Sequence, residues 1–223
     1  MMYHVPVVKH GENGHLRQKG KVAVLACGYQ GGVGAMKAMD RGGTIPEDEL
    51  QSVVDQWRAA NPKIVKMWRN YERAAKVAIE ERRTVRLKNG VAYSYEDGNL
   101  FAKLPNGRRL CYWGAKLKDD RILYMGVNQE TKQWGQAETY GGKLVENVVQ
   151  ATARDCLAEA MTRVSDMGYQ IVMHVHDEMI VDVPKEDTDA LQRINAAMGA
   201  PIDWAPGLPL KGDGYECDFY KKD

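Results

Sequence analysis

The chain has 223 residues, of which 44% are hydrophobic and 27% charged, a composition typical of a globular protein with a substantial core. No apolar run is long enough for a transmembrane helix, and the first residues lack the basic and apolar segments of a secretion signal. The 4 cysteines are far apart and form no C-x-x-C motif, which argues against a zinc or disulfide scaffold and favours a reducing cytoplasm.

The net charge of +1 hides a change of sign along the chain. Lys9 to Arg41 carries 6 basic and 2 acidic residues, a net charge of +4, and Arg58 to Lys88 carries 10 and 3, a net charge of +7. His174 to Asp223 carries 5 basic and 11 acidic residues, a net charge of −6. This polarity suits an anionic polymer at the basic part and a cation at the acidic part, but charge alone favours two solvated surfaces.

Helices are predicted for the first 82 residues. Apolar spacing predicts a helix from His15 to Cys27, and a short helix from Val33 to Met39 follows a glycine-rich break. The sequence TIPEDEL opens a third helix, with Thr44 as N-cap, that runs to about Ala60. Asn61 as N-cap and the proline after it start a fourth helix.

Alternating apolar and polar residues replace the helical pattern between Arg83 and Asn128. Turn pairs divide this stretch and predict antiparallel hairpins. The pairs are Asn89–Gly90, Asp97–Gly98 and Asn106–Gly107.

The rest of the chain predicts one long helix, from Leu144 to Val164, followed by a hairpin whose tip is His176–Asp177. A short helix follows Pro184, and the tail GLPLKGDGYECDFY is expected to supply a last strand. The predicted fold class is α+β, with helices first and then small antiparallel sheets and one long helix. The predicted divisions are 1–82, 83–140 and 141–223.

The predicted hairpin tip carries the first candidate site. The sequence VHDEM places His176, Asp177 and Glu178 between two apolar strands, where Asn-Gly or Asp-Gly would be usual. The adjacent carboxylates repel each other, and Mg²⁺ would relieve that repulsion because carboxylate oxygens are ligands it prefers. An exposed polar turn is the alternative, and the sequence leaves both interpretations open.

The second candidate site lies on the opening helix. Arg17, Lys21, Leu25 and Tyr29 recur every four residues and therefore line one side of it. The two cations suit phosphates and the aromatic ring suits a base. The segment GYQGGVG is neither a Walker loop nor a dinucleotide fingerprint. Taken alone, this stretch favours an amphipathic surface helix with a glycine-rich exit.

In combination, these motifs resemble those of family A DNA polymerases, the bacterial DNA polymerase I class. The pattern R-x-x-x-K-x-x-x-L-x-x-x-Y-x-G, from Arg17 to Gly31, resembles the fingers helix of that family, and VHDE resembles its palm motif. The run ENVVQATARDCLAEAM resembles the palm helix before that motif. Order and spacing agree from His15 to Tyr220, and runs such as LRQKGKVAVLACGYQGG are similar to a phage-type subgroup.

The resemblance implies nucleotide-binding roles on the opening helix. Arg17 and Lys21 would hold the triphosphate of the incoming dNTP, and Tyr29 would stack near the templating base. Leu25 occupies the sugar-sensing position, where the family usually has Phe or Tyr, so sugar discrimination is in doubt. The glycines after Tyr29 would let the fingers turn and close.

The resemblance also implies DNA and metal contacts in the last third of the chain. Gln150 would contact the minor groove of the new base pair, and His176 would contact the primer end. Asp177, with Glu178 beside it, would ligate the two Mg²⁺ ions of phosphoryl transfer.

The family takes its first catalytic aspartate from a D-Y-S-x-x-E motif upstream of the fingers, and no such motif is present. The chain is therefore expected to be a fingers and partial-palm portion, inactive alone, whose partners are DNA primer-template, dNTP and an N-terminal polymerase half. The expected location is the cytoplasm of a bacterium or phage-infected host. A palm without its central strands should expose apolar sheet edges and associate.

Other interpretations remain at this point. The chain is alternatively a non-catalytic nucleic-acid-binding module that kept the basic helices, or a decayed polymerase remnant. A metalloenzyme of another kind is weakly supported, because His174 and His176 are the local imidazoles and no histidine cluster accompanies them.

Overall fold

A computed structural model describes residues 14–128 and 131–220 and confirms the predicted α+β class. The helices are α1 (Gly14–Cys27), α2 (Val33–Met39), α3 (Leu50–Ala60), α4 (Pro62–Glu81), α5 (Gly141–Asp166) and α6 (Ala190–Gly199). The strands are β1 (Val85–Arg86), β2 (Ala92–Glu96), β3 (Asn99–Lys103), β4 (Arg109–Lys118), β5 (Arg121–Val127), β6 (Trp134–Thr139), β7 (Gln170–Val175) and β8 (Glu178–Asp182). No helix in the described ranges has the length and apolar character needed to cross a membrane.

Internal packing divides the chain into two compact units. The first unit ends at Val148 and leaves out the turn Leu104–Arg108, which belongs with the second unit from Val149 onward. Helix α5 supplies residues to both units. The functional divisions at residues 82 and 140 stay predictions.

Two tryptophans hold α3 and α4 together in the first unit. The rings of Trp57 and Trp68 stack with their centroids 6.0 Å apart and their planes 8° from parallel, and both side chains are buried. Such paired aromatic rings contribute large buried area and a favourable ring–ring geometry. The predicted start of α4 at Pro62 is confirmed. Asn61 occupies the N-cap position, but its side chain makes no capping hydrogen bond, and its Nδ2 donates to the Trp57 carbonyl at 2.8 Å.

The prediction that Thr44 caps the third helix is wrong. The Thr44 hydroxyl donates to Asp40 Oδ1 at 2.6 Å, and its backbone N–H donates to the same oxygen at 3.0 Å. A 3-10 turn, Glu47–Glu49, then precedes α3. Asp side chains commonly accept hydrogen bonds from nearby residues in turns. Because the Thr44 hydroxyl and N–H both bind Asp40, Thr44 does not cap α3.

Strands β1 to β6 form one antiparallel sheet in chain order. The three predicted turn pairs join β1 to β4, while the connections from β4 to β5 and from β5 to β6 were not predicted. Asp97 and Gly98 both have positive φ, 48° and 80°, as a two-residue type I′ hairpin requires. The inner face of the sheet carries Tyr93, which meets Tyr71 of α4 edge to face at a centroid distance of 6.1 Å. The sheet core therefore packs on α4.

The second unit contains the predicted hairpin, a two-stranded antiparallel sheet of β7 and β8. The prediction of a last strand in the tail is wrong, because the tail is irregular through Tyr220. The Gly214 N–H donates to Asn195 Oδ1 of α6 at 3.0 Å, and a Cβ at Gly212 would lie 2.6 Å from the Asn195 backbone. The glycines thus let the tail dock closely on α6 instead of pairing with a strand.

Candidate nucleotide-binding and metal site

Helix α1 presents the candidate nucleotide face to solvent. Arg17, Lys21 and Leu25 are exposed. The other side of the helix buries small and branched residues, namely Val22, Ala23, Ala26 and Cys27. Burial raises the pKa of the Cys27 thiol, which makes this cysteine a packing residue and not a reactive one. The helix is amphipathic as predicted, and its exposed side offers two cations for phosphate binding.

Tyr29 lies in the turn that follows α1 and is half-buried. Side chains from α3 and α4 donate hydrogen bonds to carbonyl groups of this turn. Trp68 Nε1 donates to the Gly28 carbonyl at 3.1 Å, and Arg58 Nη2 donates to the Gly31 carbonyl at 3.2 Å. A Cβ at Gly31 would lie 2.1 Å from the Ala26 carbonyl oxygen. The glycine-rich exit is therefore a closely packed turn anchored to α3 and α4.

Gln30 connects the same turn to the start of α5. Its φ of 72° lies in the left-handed region, and its Oε1 accepts a hydrogen bond from the Gly142 N–H at 2.8 Å. That N–H is one of the helix N-terminal donors that α5 cannot satisfy itself. A Cβ at Gly142 would lie 2.2 Å from the Tyr29 carbonyl oxygen, so only glycine allows this approach. The exit of the candidate nucleotide helix is thus fixed to α5.

The hairpin tip of the second unit carries the candidate metal ligands. Val175 pairs with Glu178, which leaves His176 and Asp177 as a two-residue loop. His176 has a φ of 52°, a conformation that such loops usually give to glycine, asparagine or aspartate. A histidine kept there at a local energetic cost of about 1–2 kcal/mol is consistent with a functional constraint. His176 and Asp177 are exposed, and Glu178 is half-buried.

Gln150 is exposed on α5, one helical turn before Arg154. The Arg154 guanidinium contacts the imidazole of His174 on β7, with Nη2 and Nε2 3.4 Å apart. The side of α5 that carries Gln150 is therefore linked to the strand that leads to His176. Sequence reasoning missed Arg154, although its helical spacing of four from Gln150 could have indicated it.

The donor chemistry of the hairpin tip fits Mg²⁺. Asp177 and Glu178 offer carboxylate oxygens, and Mg²⁺ takes six oxygen ligands, several of which are usually waters or substrate phosphates. Between residues 14 and 128 and between 131 and 220, no group of three or more His, Cys, Asp or Glu side chains is arranged to hold a metal ion. The two carboxylates would therefore share an ion with oxygens from other sources.

The predicted site residues fall into two groups. The nucleotide-binding candidates Arg17, Lys21, Leu25 and Tyr29 belong to the first unit. The DNA and metal candidates Gln150, His176, Asp177 and Glu178 belong to the second.

Comparison with known proteins finds a similar sequence in a DNA polymerase of Bacillus phage SP02. The two are 51% identical over 230 aligned residues, which take in all of this chain and 35% of the phage protein. No protein-family model matches the chain, and no solved structure matches it. The chain is therefore similar along its whole length to a phage DNA polymerase and spans about a third of the length of that relative.

Proposed function

We propose that this chain is the fingers and partial-palm portion of a family A DNA-directed DNA polymerase, which adds nucleotides to a primer 3′-hydroxyl on a DNA template. The observation that carries the proposal is the 51% identity to a phage DNA polymerase along the whole chain. The motif resemblance supplies the family, and the exposed candidate residues on α1 and on the β7–β8 hairpin are compatible with it.

In this proposal the first unit binds the incoming dNTP. Arg17 and Lys21 lie exposed on one side of α1 and would pair with the triphosphate. Tyr29 would stack near the templating base, and Leu25 would contact the sugar. The Trp68 and Gln30 hydrogen bonds fix the turn that carries Tyr29, which would hold its ring ready for stacking.

The second unit would hold the primer end and the metal ions. Gln150 would contact the minor groove of the new base pair, and His176 would contact the primer terminus. Asp177 and Glu178 would provide carboxylate ligands at the strained hairpin tip. When bound there, two Mg²⁺ ions would lower the pKa of the primer hydroxyl and neutralise the departing pyrophosphate.

The remaining carboxylate of such a site would come from an N-terminal polymerase half. The chain spans 35% of its phage relative, which leaves most of that protein to supply it. In this proposal the isolated chain has no polymerase activity and regains it when the upstream half is present. A decayed remnant would have lost that capacity.

Reconstitution of primer extension tests the proposal. The purified chain would be mixed with the separately produced remainder of the phage relative, a labelled primer-template, dNTPs and Mg²⁺. We expect no extension by either part alone, extension by the mixture, and loss of extension with Asp177→Ala. Extension by the chain alone would refute the need for a partner. A mixture that stays inactive, although the two parts co-purify, would indicate a remnant.

Nucleotide binding gives an independent readout on the chain itself. Lys21→Ala should weaken dTTP binding about tenfold or more, because a charge-assisted phosphate contact is lost. Lys37→Ala is the matched control, since Lys37 is exposed on α2 and pairs with Glu47 at 2.8 Å. A non-catalytic nucleic-acid-binding module would respond to neither change and would show salt-dependent DNA affinity in its place.

A further inference from the structure

The outer face of strands β4 to β6 exposes two tryptophans that the core does not use. Trp113 pairs with Met125 across β4 and β5, and Val127 pairs with Trp134 across β5 and β6. Directly paired residues project from the same face of a sheet, and so do residues two apart on one strand. These four residues therefore form one continuous patch, named here the tryptophan face.

The tryptophan face is separate from the core of the sheet. Trp113 is 59% exposed and Trp134 is 61% exposed. The opposite face carries the packed aromatics, where Tyr112 and Tyr124 meet edge to face at 5.4 Å. Full burial of each large ring would add roughly 1.5–3 kcal/mol of hydrophobic stabilisation, which the fold does not gain at these two positions.

A bulge sets how β4 displays this face. Trp113 pairs with Met125, but the next pair along is Lys116 with Leu123, so β4 has one extra residue between them. Gly114 adopts a φ of 58° there. Bulges bend a strand and redirect side chains, and they are frequent next to functional sites. The bulge keeps Trp113 and Lys116 on the same face.

The charges around the tryptophan face are positive. Lys116 pairs with Leu123, and Lys118 pairs with Arg121, so both lysines project from the same side as the tryptophans. Glu138, the acidic residue of this face on β6, is already within 3.4 Å of Arg121. Among the described residues, no carboxylate forms an ion pair with Lys116 or Lys118. The lysine charges are therefore available to an anionic ligand.

We propose that the tryptophan face binds single-stranded nucleic acid. Exposed aromatic rings stack on unpaired bases, and neighbouring lysines bind the phosphates between them. From standard strand spacing, the Trp113 and Trp134 Cα atoms lie about 12 Å apart, which leaves room for separate bases on each ring. A protein partner would also cover apolar rings, but the unpaired lysines favour a polyanion. The proposal goes beyond the proposed polymerase function and does not depend on it.

Binding of 12-nucleotide oligo(dT) and oligo(U) to the whole chain tests the inference. Tryptophan fluorescence reports mainly on the site, because Trp113 and Trp134 are exposed, whereas Trp57 and Trp68 are buried and Trp204 is half-buried. Fluorescence anisotropy of labelled oligonucleotide gives the affinity. The test variants are the double changes Trp113→Ala/Trp134→Ala and Lys116→Glu/Lys118→Glu. The controls are Phe219→Ala, which removes an aromatic ring that is 73% exposed in the tail, and Lys211→Glu.

We expect oligonucleotide to quench the wild-type fluorescence and each test pair to weaken binding about tenfold or more, with both controls near wild type. The lysine double variant keeps the test decisive if the tryptophan double variant folds poorly. Equal affinity of wild type and both test variants would overturn the inference. So would unchanged oligonucleotide affinity accompanied by a fall in self-association of the tryptophan variant, which would identify the face as a protein contact. Failure of primer extension would leave these results unaffected and would count against the polymerase proposal alone.

Discussion

Tyr93 and Tyr112 both bury their rings on the inner face of the six-stranded sheet, but their hydroxyls differ. The Tyr112 hydroxyl accepts a hydrogen bond from Asn147 Nδ2 of α5 at 3.0 Å. The Tyr93 hydroxyl is buried and has no hydrogen-bond partner in the described part of the chain. A buried polar group without a partner reduces stability, because folding removes its water without a replacement.

Replacing Tyr93 and Tyr112 by phenylalanine should therefore change the free energy of unfolding differently. Tyr93→Phe removes an unsatisfied hydroxyl and keeps the edge-to-face contact with Tyr71, so the free energy of unfolding should stay equal or rise by up to about 1 kcal/mol. Tyr112→Phe removes the acceptor of Asn147 and should lower the unfolding free energy by about 1 kcal/mol. Urea denaturation measures both, and a larger loss for Tyr93→Phe than for Tyr112→Phe would contradict this assignment.

The same tyrosines predict a loss of stability at alkaline pH. Burial raises the pKa of Tyr112 from 10.0 to about 12, and burial raises the pKa of Tyr93 well above its ordinary value. The folded state keeps these protons at a pH where the unfolded chain has lost them. The stabilisation is therefore complete below about pH 10 and is lost as the pH rises towards 12.

For Tyr112 the loss amounts to roughly 2–3 kcal/mol across that window. Urea denaturation at intervals from pH 9 to 11 should show the unfolding free energy falling as the pH rises above 10. Tyr112→Phe should fall less steeply over the same range. Parallel curves for the variant and the wild type would show that Tyr112 ionises as freely in the folded protein as in the unfolded chain.

At the scale of elements, the turn after α1 is joined to the start of α5 by the Gln30–Gly142 hydrogen bond. Gln30→Ala should lower the unfolding free energy by about 1–2 kcal/mol, because the Gly142 N–H loses its acceptor. Gln30→Gly loses the same hydrogen bond but relieves the positive φ of 72°, so it should be about 1 kcal/mol less destabilising than Gln30→Ala. Denaturant unfolding of the pair separates the two contributions.

Glycine substitutions provide the matched control for this contact. Gly142→Ala places a methyl group about 2.2 Å from the Tyr29 carbonyl oxygen and should destabilise strongly, whereas a Cβ at Gly32 meets nothing within 4 Å. Equal unfolding free energies for Gly142→Ala and Gly32→Ala would contradict the close approach of the turn and α5.

Local signals predicted the elements of this fold well. The helix at Val33–Met39 has the predicted bounds, and the hairpin tip at His176–Asp177 is confirmed, because helical spacing and alternation act over a few residues. The tail strand was wrong because docking on Asn195 decides its conformation. Gln30 could not be predicted, since its partner Gly142 lies 112 positions away and no local pattern encodes that contact. Of the candidate site, the sequence predicted the exposed α1 face, but not the anchoring of its exit.

At the scale of the whole molecule, the β7–β8 hairpin is an incomplete sheet. Within the described residues it has two strands, so each strand has one edge without a backbone partner. Two-stranded sheets are marginal alone in water, and open edges pair with other chains. Val172 and Met173 on β7 are also 54% and 41% exposed, which adds apolar surface to an open edge. In the proposed function, the N-terminal polymerase half would supply further strands that pair with this hairpin and complete the sheet.

The isolated chain should therefore self-associate through this edge. Sedimentation velocity should show species larger than a monomer that increase with concentration. Val172→Lys should shift the distribution towards monomer, because a charged side chain at an edge opposes strand pairing. Val24→Lys is the matched control, since Val24 is 57% exposed on a helix and offers no open edge. A concentration-independent monomer in the wild type would argue that the hairpin needs no further strands.

Equal effects of the two lysine variants would assign the association to general hydrophobic surface instead of the sheet edge. Addition of the remainder of the phage relative should compete with self-association if that protein supplies the neighbouring strands, so the same measurement links the open edge to the partner that the proposed function requires.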